Sequence, residues 1–212
     1  EIQRAKNTMD PVRFRQEFEA SFESTGNRAA WNFDRTTHVK QAKTLSDYLW
    51  WGCDFNVDYM SAVLACQYTD GVIHYFDEIR LKNSNTDEMA RKMKEIAPSV
   101  EVYPDPAGSA RSTTSNRSDH HGFIIRARKS HPSHIDRLNA LNRKLLDANS
   151  SISMTVDPKC VHLIKDLEQV QRDKRGGIDK SQIDLTHSLD ACSYAIAYKF
   201  PIMSRAGKTM EW

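Results

Sequence analysis

Tyr48-Leu49-Trp50-Trp51-Gly52-Cys53-Asp54 is the stretch from which the fold is read. Apolar and small residues run together without the alternation of a half-buried strand, and an aspartate closes them. Such a run predicts a central strand covered on both faces. A short loop, Phe55 to Tyr59, leads to a second strand, Ser61-Ala62-Val63-Leu64-Ala65-Cys66-Gln67-Tyr68. Thr69-Asp70-Gly71 has the chemistry of a hairpin turn, and Val72 to Leu81 returns as a third strand.

Further on, Asn85 to Ala97 reads as an amphipathic helix with Met89, Met93 and Ile96 on one side. It separates the third strand from a fourth, Val100 to Tyr103, as a parallel or mixed sheet requires. A long loop rich in Ser, Thr and Arg covers 106–120, and Gly122 to Ala127 makes a fifth strand. Pro132 to Ala148 is a second helix, with Ile135, Leu138, Leu141 and Leu145 facing inward. Ser151 to Val156 is a short strand and Lys159 to about Leu167 a helix. Residues 171–184 are charged and contain Gly176-Gly177, which predicts a mobile turn or hairpin. The last helix runs from about Leu185 to Tyr198, and Pro201 closes it. This order predicts an α/β, ribonuclease H-like fold: a mixed central sheet, three antiparallel strands and then parallel strands, flanked by helices.

Ahead of Tyr48 the chain reads as an arm. Asp10-Pro11 is a helix start, with Asp as N-cap and Pro in the first turn. Val12, Phe14, Phe18 and Phe22 give one apolar stripe, which Ser24-Thr25-Gly26-Asn27 breaks. Residues 28–47 are polar and irregular, with Trp31 and Phe33 as anchors. The expected organisation is an arm over 1–47, a folded body over 48–200 and a tail over 201–212. Glu1 stands where a Met would begin a whole protein, so a piece of a longer polypeptide is expected.

The 212 residues suit one sizeable domain, and 39% hydrophobic residues suit a polar surface. A chain of this length buries roughly 70% of its unfolded surface without disulfide staples. No stretch approaches ~18 uninterrupted apolar residues, so no membrane partner is expected, and no signal peptide is visible. Cys53, Cys66, Cys160 and Cys192 form no C-x-x-C pair. Their use as small hydrophobes points to a reducing, cytoplasmic compartment.

Net charge is +2 but uneven. Between Arg111 and Lys144 lie Arg111, Arg117, Arg126, Arg128, Lys129, Arg137, Arg143 and Lys144, opposed by Asp119 and Asp136 alone. That segment carries +6 and leaves −4 for the rest. A basic stretch beside an acidic cluster suits a protein that grips a polyanion and cuts it. A solvated helix face plus a charged loop explains the charges equally well.

Asp54 and Asp105 each close a strand, and Asp190 opens the nearly all-apolar helix Ala191-Cys192-Ser193-Tyr194-Ala195-Ile196-Ala197-Tyr198. If the fourth strand lies parallel beside the first, Asp54 and Asp105 share one sheet edge, where ligands of α/β sheets bind. Ile183, His187, Asp190, Tyr194 and Ala197 fall near one line of the last helix, so its first turn can bring Asp190 over that edge. Singly, each carboxylate has a plainer role. Asp54 and Asp105 are turn formers, and Asp190 suits a helix N-terminus, where negative charge gains ~0.3–1 kcal/mol. Together they are costly as bare buried charges. Two Mg²⁺ or Mn²⁺ ions would cancel the repulsion and activate a water for phosphodiester hydrolysis. His187 could be a further ligand, orient that water, or bond to backbone as a helix-end histidine.

With these residues the sequence resembles the nuclease domain of the large terminase subunit of tailed bacteriophages, of the headful-packaging, P22-like type. The resemblance rests on Gly52-Cys53-Asp54-Phe55, Tyr103-Pro104-Asp105-Pro106-Ala107 and His187-Ser188-Leu189-Asp190-Ala191, and extends back to the Gln16-Glu17-Phe18-Glu19-Ala20 arm. It implies a metal-dependent endonuclease cutting concatemeric double-stranded viral DNA, with Asp54, Asp105 and Asp190 as the metal-binding triad and His187 as its companion. It implies an upstream ATPase domain, the portal protein and the small terminase subunit as partners, and a place in the host cytoplasm at the procapsid portal. Asn56-Val57-Asp58-Tyr59 departs from the G-x-D-[FY]-G start of many relatives, which leaves Asp58 an auxiliary candidate. Glu78 of Asp77-Glu78 could support a metal or be surface charge on a hairpin. Lys129 lies where relatives often carry a lysine, and with Arg126 and Arg128 it is read as a DNA-backbone contact.

Ala206-Gly207-Lys208-Thr209 looks like half a P-loop, but Ile202 stands where a Gly is required and no helix follows, so ATP binding is not expected here. His120, His121, His131 and His134 lack zinc-site spacing and a thiolate partner; the first two could instead touch phosphate. Two other readings remain: a junction resolvase or transposase of the same fold, or a non-catalytic docking module for packaging partners.

Overall fold

The computed structural model describes residues 26–42, 48–56, 58–105, 122–128, 130, 132–182 and 184–202. The expected 10–22 helix, the 106–120 loop, the 206–209 segment, Lys129, His120, His121, His131 and Ile183 lie outside these residues.

The elements, in chain order, are α1 (Arg35–His38), β1 (Leu49–Phe55), β2 (Tyr59–Gln67), β3 (Ile73–Lys82), α2 (Thr86–Ile96), β4 (Glu101–Pro104), β5 (Ile124–Ile125), α3 (His134–Leu145), β6 (Met154–Val156), α4 (Val161–Gln169) and α5 (His187–Lys199). Six strands form one sheet in the order β5-β4-β1-β2-β3-β6. The β1–β2 and β2–β3 pairs are antiparallel. The β1–β4, β4–β5 and β3–β6 pairs are parallel. This is the expected mixed sheet, with β1 and β2 in the middle.

The absence of alternation in β1 has the expected cause. Trp50 packs with Tyr75, Leu141, Leu189 and Tyr198 on the face covered by α3, α4 and α5. Trp51 and Cys53 pack with Met89, Met93 and Val102 on the face covered by α2. Both indoles are fully buried. At Gly52 the backbone of α5 comes so close that a Cβ would overlap the carbonyl oxygen of Ala191 and press on the Cβ of Ala195. All four cysteines are buried, free thiols.

Helix starts follow local chemistry where the sequence provides it. The Asn85 side chain accepts the Glu88 amide at the start of α2, and Ser133 accepts the Asp136 amide at the start of α3. Neither α4 nor α5 is capped by its own N-cap side chain. Glu78 of β3 accepts the amides of His162 and Leu163 at 2.7 and 2.8 Å, and Asp166 of α4 accepts those of Ser188 and Leu189 at 2.9 and 3.1 Å. Glu78 is therefore a half-buried helix cap rather than surface charge on a hairpin.

Several expectations are corrected. The fifth strand shrinks to two residues, Ile124 and Ile125, which pair with Glu101 and Val102 of β4. Ile96 and Ile135 are exposed, Ile96 as the last residue of its helix and Ile135 beside the buried stripe of its own. Part of the stretch assigned to the arm is built into the body: Ala29, Ala30 and Phe33 join the core, and the Ala29 amide bonds the carbonyl of Val170 at 2.8 Å. Of the two alternatives expected for the charged segment, the hairpin is what forms over 172–178, with Arg172 bridged to Ile178 and the Asp173 carboxylate accepting the amides of Arg175 and Gly177. Among the described residues no helix is long and apolar enough to cross a membrane.

Candidate active site

Asp54 is the sixth residue of β1, and Asp105 directly follows β4. Cys53 pairs with Pro104 in the parallel register, and the Asp105 amide donates to the Cys53 carbonyl at 2.9 Å. The two aspartates thus stand side by side at one sheet edge, as expected. The first turn of α5 lies over β1 and adds His187 and Asp190. The charges of Asp105, Asp190 and Asp54 all bear on the Tyr194 phenol, which burial above all holds well beyond its ordinary range.

The contacts within the cluster are specific. His187 Nδ1 meets Asp54 Oδ2 at 3.1 Å, both side chains being buried. The Tyr59 ring packs against the His187 ring, centroids 5.6 Å apart. Burial raises the Asp54 carboxyl and Asp190 adds to the rise, opposed by the His187 hydrogen bond and by Lys180. Asp190 is itself held by two cations. Arg137 Nη1 donates to its Oδ1 at 2.9 Å and to Ser193 Oγ at 3.2 Å, while the guanidinium lies 3.9 Å from the Tyr194 ring centroid. Lys180 Nζ donates to the other oxygen, Oδ2, and to Thr186 Oγ1 at 3.2 Å. Among the described residues, no three His, Cys, Asp or Glu side chains are arranged as a ready metal cage; the Asp190 oxygens face the two cations.

Among the described residues of the basic stretch, Arg128, Arg137, Arg143 and Lys144 are turned onto the protein itself. Arg137 is 1% exposed. Arg128 donates to the Tyr198 carbonyl at 2.9 Å and lies over that ring. Arg143 donates to the Phe200 carbonyl at 2.9 Å, and the Lys144 ammonium sits 4.0 Å from the Phe200 ring centroid. Arg126 pairs with Glu101 at 2.9 Å, which turns it toward the start of β4 and away from Asp105. It lines a cavity of about 440 Å³ with Tyr48 and Lys199, at the end of β1 opposite Asp54. A different basic group borders the site. Arg80 lies 4.2 Å and Lys82 5.5 Å from the centroid of the Tyr59 ring, next to His187.

Sequence reasoning missed Arg137, Lys180 and Asp166. A basic residue on an amphipathic helix reads as surface, and Lys180 lies in a segment read as a mobile turn. No sequence signal pointed to Asp166, because Asp184 and Thr186 at the start of the last helix are themselves capping residue types.

Comparison with solved structures places this geometry. The large terminase of a thermophilic bacteriophage, in complex with ATP-γ-S, is similar over 93% of this chain and 51% of its own, with a TM-score of 0.70 and 18% identity. The P22 large terminase nuclease domain is similar over 84% of this chain and 95% of its own, with a TM-score of 0.61 and 16% identity. The nuclease domain of g2p, the large terminase of bacteriophage SPP1, with bound Mn, matches over 76% of this chain and 95% of its own, with a TM-score of 0.53 and 16% identity. No protein-family model and no curated protein matches the chain. The architecture is thus ribonuclease H-like, and within that class it is the fold of large terminase nuclease domains. The chain spans about half the length of the thermophilic phage terminase.

Proposed function

We propose that this chain is the nuclease part of a phage large terminase, a metal-dependent endonuclease that cuts concatemeric double-stranded DNA during genome packaging. The observation that carries the reading is the meeting of Asp54 and Asp105, on neighbouring parallel strand ends, with the first turn of α5 and its His187 and Asp190. The donor chemistry fits a hard divalent cation such as Mg²⁺ or Mn²⁺, because the set is dominated by carboxylate oxygens. Asp54 and Asp105 would hold it, with Asp190 beside them. Bound there, such an ion supplies an activated water and charge stabilisation at the scissile phosphate.

The chain's own residues do the rest. His187 fixes the Asp54 carboxylate through Nδ1, and Arg137 fixes Asp190. Tyr59, Arg80 and Lys82 offer an aromatic and basic ledge for a DNA backbone. Such contacts carry no base code, so cutting has little sequence preference and weakens steeply with salt. An ATPase domain in the same polypeptide, the portal and the small terminase subunit complete the assembly at the procapsid in the host cytoplasm. The Mn bound to the SPP1 nuclease domain supports the metal requirement.

A plasmid-nicking assay with Mn²⁺, Mg²⁺ or EDTA tests this. Wild-type chain should nick with metal, stop with EDTA, and lose activity as Asp54→Asn or Asp105→Asn while circular dichroism stays native. If wild type and variants leave the plasmid alike, the docking-module reading replaces this one. Cutting confined to branched junctions would favour a resolvase.

A further inference from the structure

Resting on the metal-dependent reading of this site, we infer that Lys180 is a built-in cation taking the place of a second metal ion at Asp190, so that the chain takes up one divalent ion rather than two.

Asp190 is almost fully buried, and each of its oxygens is on a side-chain cation, Arg137 on one and Lys180 on the other. Arg137 is sealed in the core, stacked on Tyr194 and bonded to Ser193, so it stays. Lys180 reaches in from outside, with 47% of its side chain exposed, yet its backbone is anchored. Ile178, two residues earlier, is 2% exposed and gives its amide to His134 Nδ1 at 3.2 Å. The Asp179 amide bonds the Gln171 carbonyl at 2.9 Å, and Gln171 is bridged to Arg28. The ammonium itself is held at two points, Asp190 Oδ2 and Thr186 Oγ1, on the first turn of α5 and the residue before it. An ammonium fixed at both ends of its stem is a component of the site.

Charge favours the same conclusion. Three carboxylates and two fixed cations leave the cluster at a formal charge of minus one. One divalent ion and one phosphodiester bring it to neutrality. A second ion would leave it at plus two in a partly buried setting, where uncompensated charge is costly. Lys180 acts through Asp190 and is thus a positioning residue; Asp54 and Asp105 remain for the single ion.

Titration of the 212-residue chain with Mn²⁺, following free ion by electron paramagnetic resonance, tests the inference without reference to cutting. Wild type and Lys180→Arg should each take up one ion. Lys180→Gln, which keeps length and removes charge, should take up two. Two ions in wild type, or one in Lys180→Gln, would overturn the substitution and leave the nuclease reading intact. Uptake by none of the three would remove the metal reading itself, and this inference with it.

Discussion

Arg137 and Asp190 form an ion pair at 2.9 Å with side chains only 1% and 3% exposed. Removing Arg137 leaves the buried Asp190 carboxylate with Lys180 on its other oxygen. Arg137→Met should cost up to about 3–5 kcal/mol in urea unfolding, the figure for a buried pair broken from one side. Arg137→Met/Asp190→Leu should recover much of that loss, because apolar replacement of a whole buried pair is often tolerated. A double variant no more stable than the single would show that Arg137 contributes mainly through packing on Tyr194.

Gly52 permits the contact between β1 and α5 that sets His187 against Asp54. Gly52→Ala should destabilise by ~1–3 kcal/mol, as overpacking of a core does, because the obstructing atom is a backbone carbonyl that cannot rotate away. Metal-dependent nicking should fall further than stability accounts for, since the helix carrying His187 and Asp190 is pushed off the strand carrying Asp54. Thermal melts and nicking rates on one preparation separate the two effects.

Glu78 holds the start of α4. Glu78→Ala removes the acceptor of two amides and should cost about 1–2 kcal/mol, in the range of a lost N-cap. If Glu78 instead held a metal, the variant would keep its stability and lose Mn²⁺-dependent nicking, and the two measurements together decide the matter.

These cases mark how far the sequence could be read. Unbroken apolar runs revealed the central strands, and the strand–helix–strand spacing pointed to a mixed sheet, in which a fourth strand parallel to the first would bring Asp105 beside Asp54, the pairing that forms. Both depend on local patterns of the kind a linear sequence displays. The long-range caps do not: nothing near Glu78 in the chain shows that His162 and Leu163 will need an acceptor. Arg137 was hidden for a related reason. Its neighbours Asp136 and Asn139 are polar, so only the tertiary partner, 53 residues away, shows the arginine to be internal.

Asp166 should leave a signature in pH dependence. Burial pushes its carboxyl up to about 6 from 3.8, so the folded chain holds that proton more tightly than the unfolded chain. This contribution to stability is complete below the unfolded value and is lost as pH rises through about 4 to 6. The loss is on the order of 2–3 kcal/mol at most. Asp166→Asn keeps an oxygen for the Ser188 and Leu189 amides and removes the titration. Urea melts across that window should show wild type losing stability relative to the variant as pH rises. Parallel curves would mean that the two amides offset the burial.

The four sequestered thiols give the chain an internal clock. Burial lifts those of Cys53, Cys160 and Cys192 out of their ordinary range, that of Cys192 to about 12, so the native protein presents almost no reactive thiolate at these positions. A chromogenic thiol reagent should stay colourless over intact molecules and develop only as they open. Cys53 on the strand of Asp54 and Cys192 on the helix of Asp190 would then time the parting of the two elements that meet at the carboxylates.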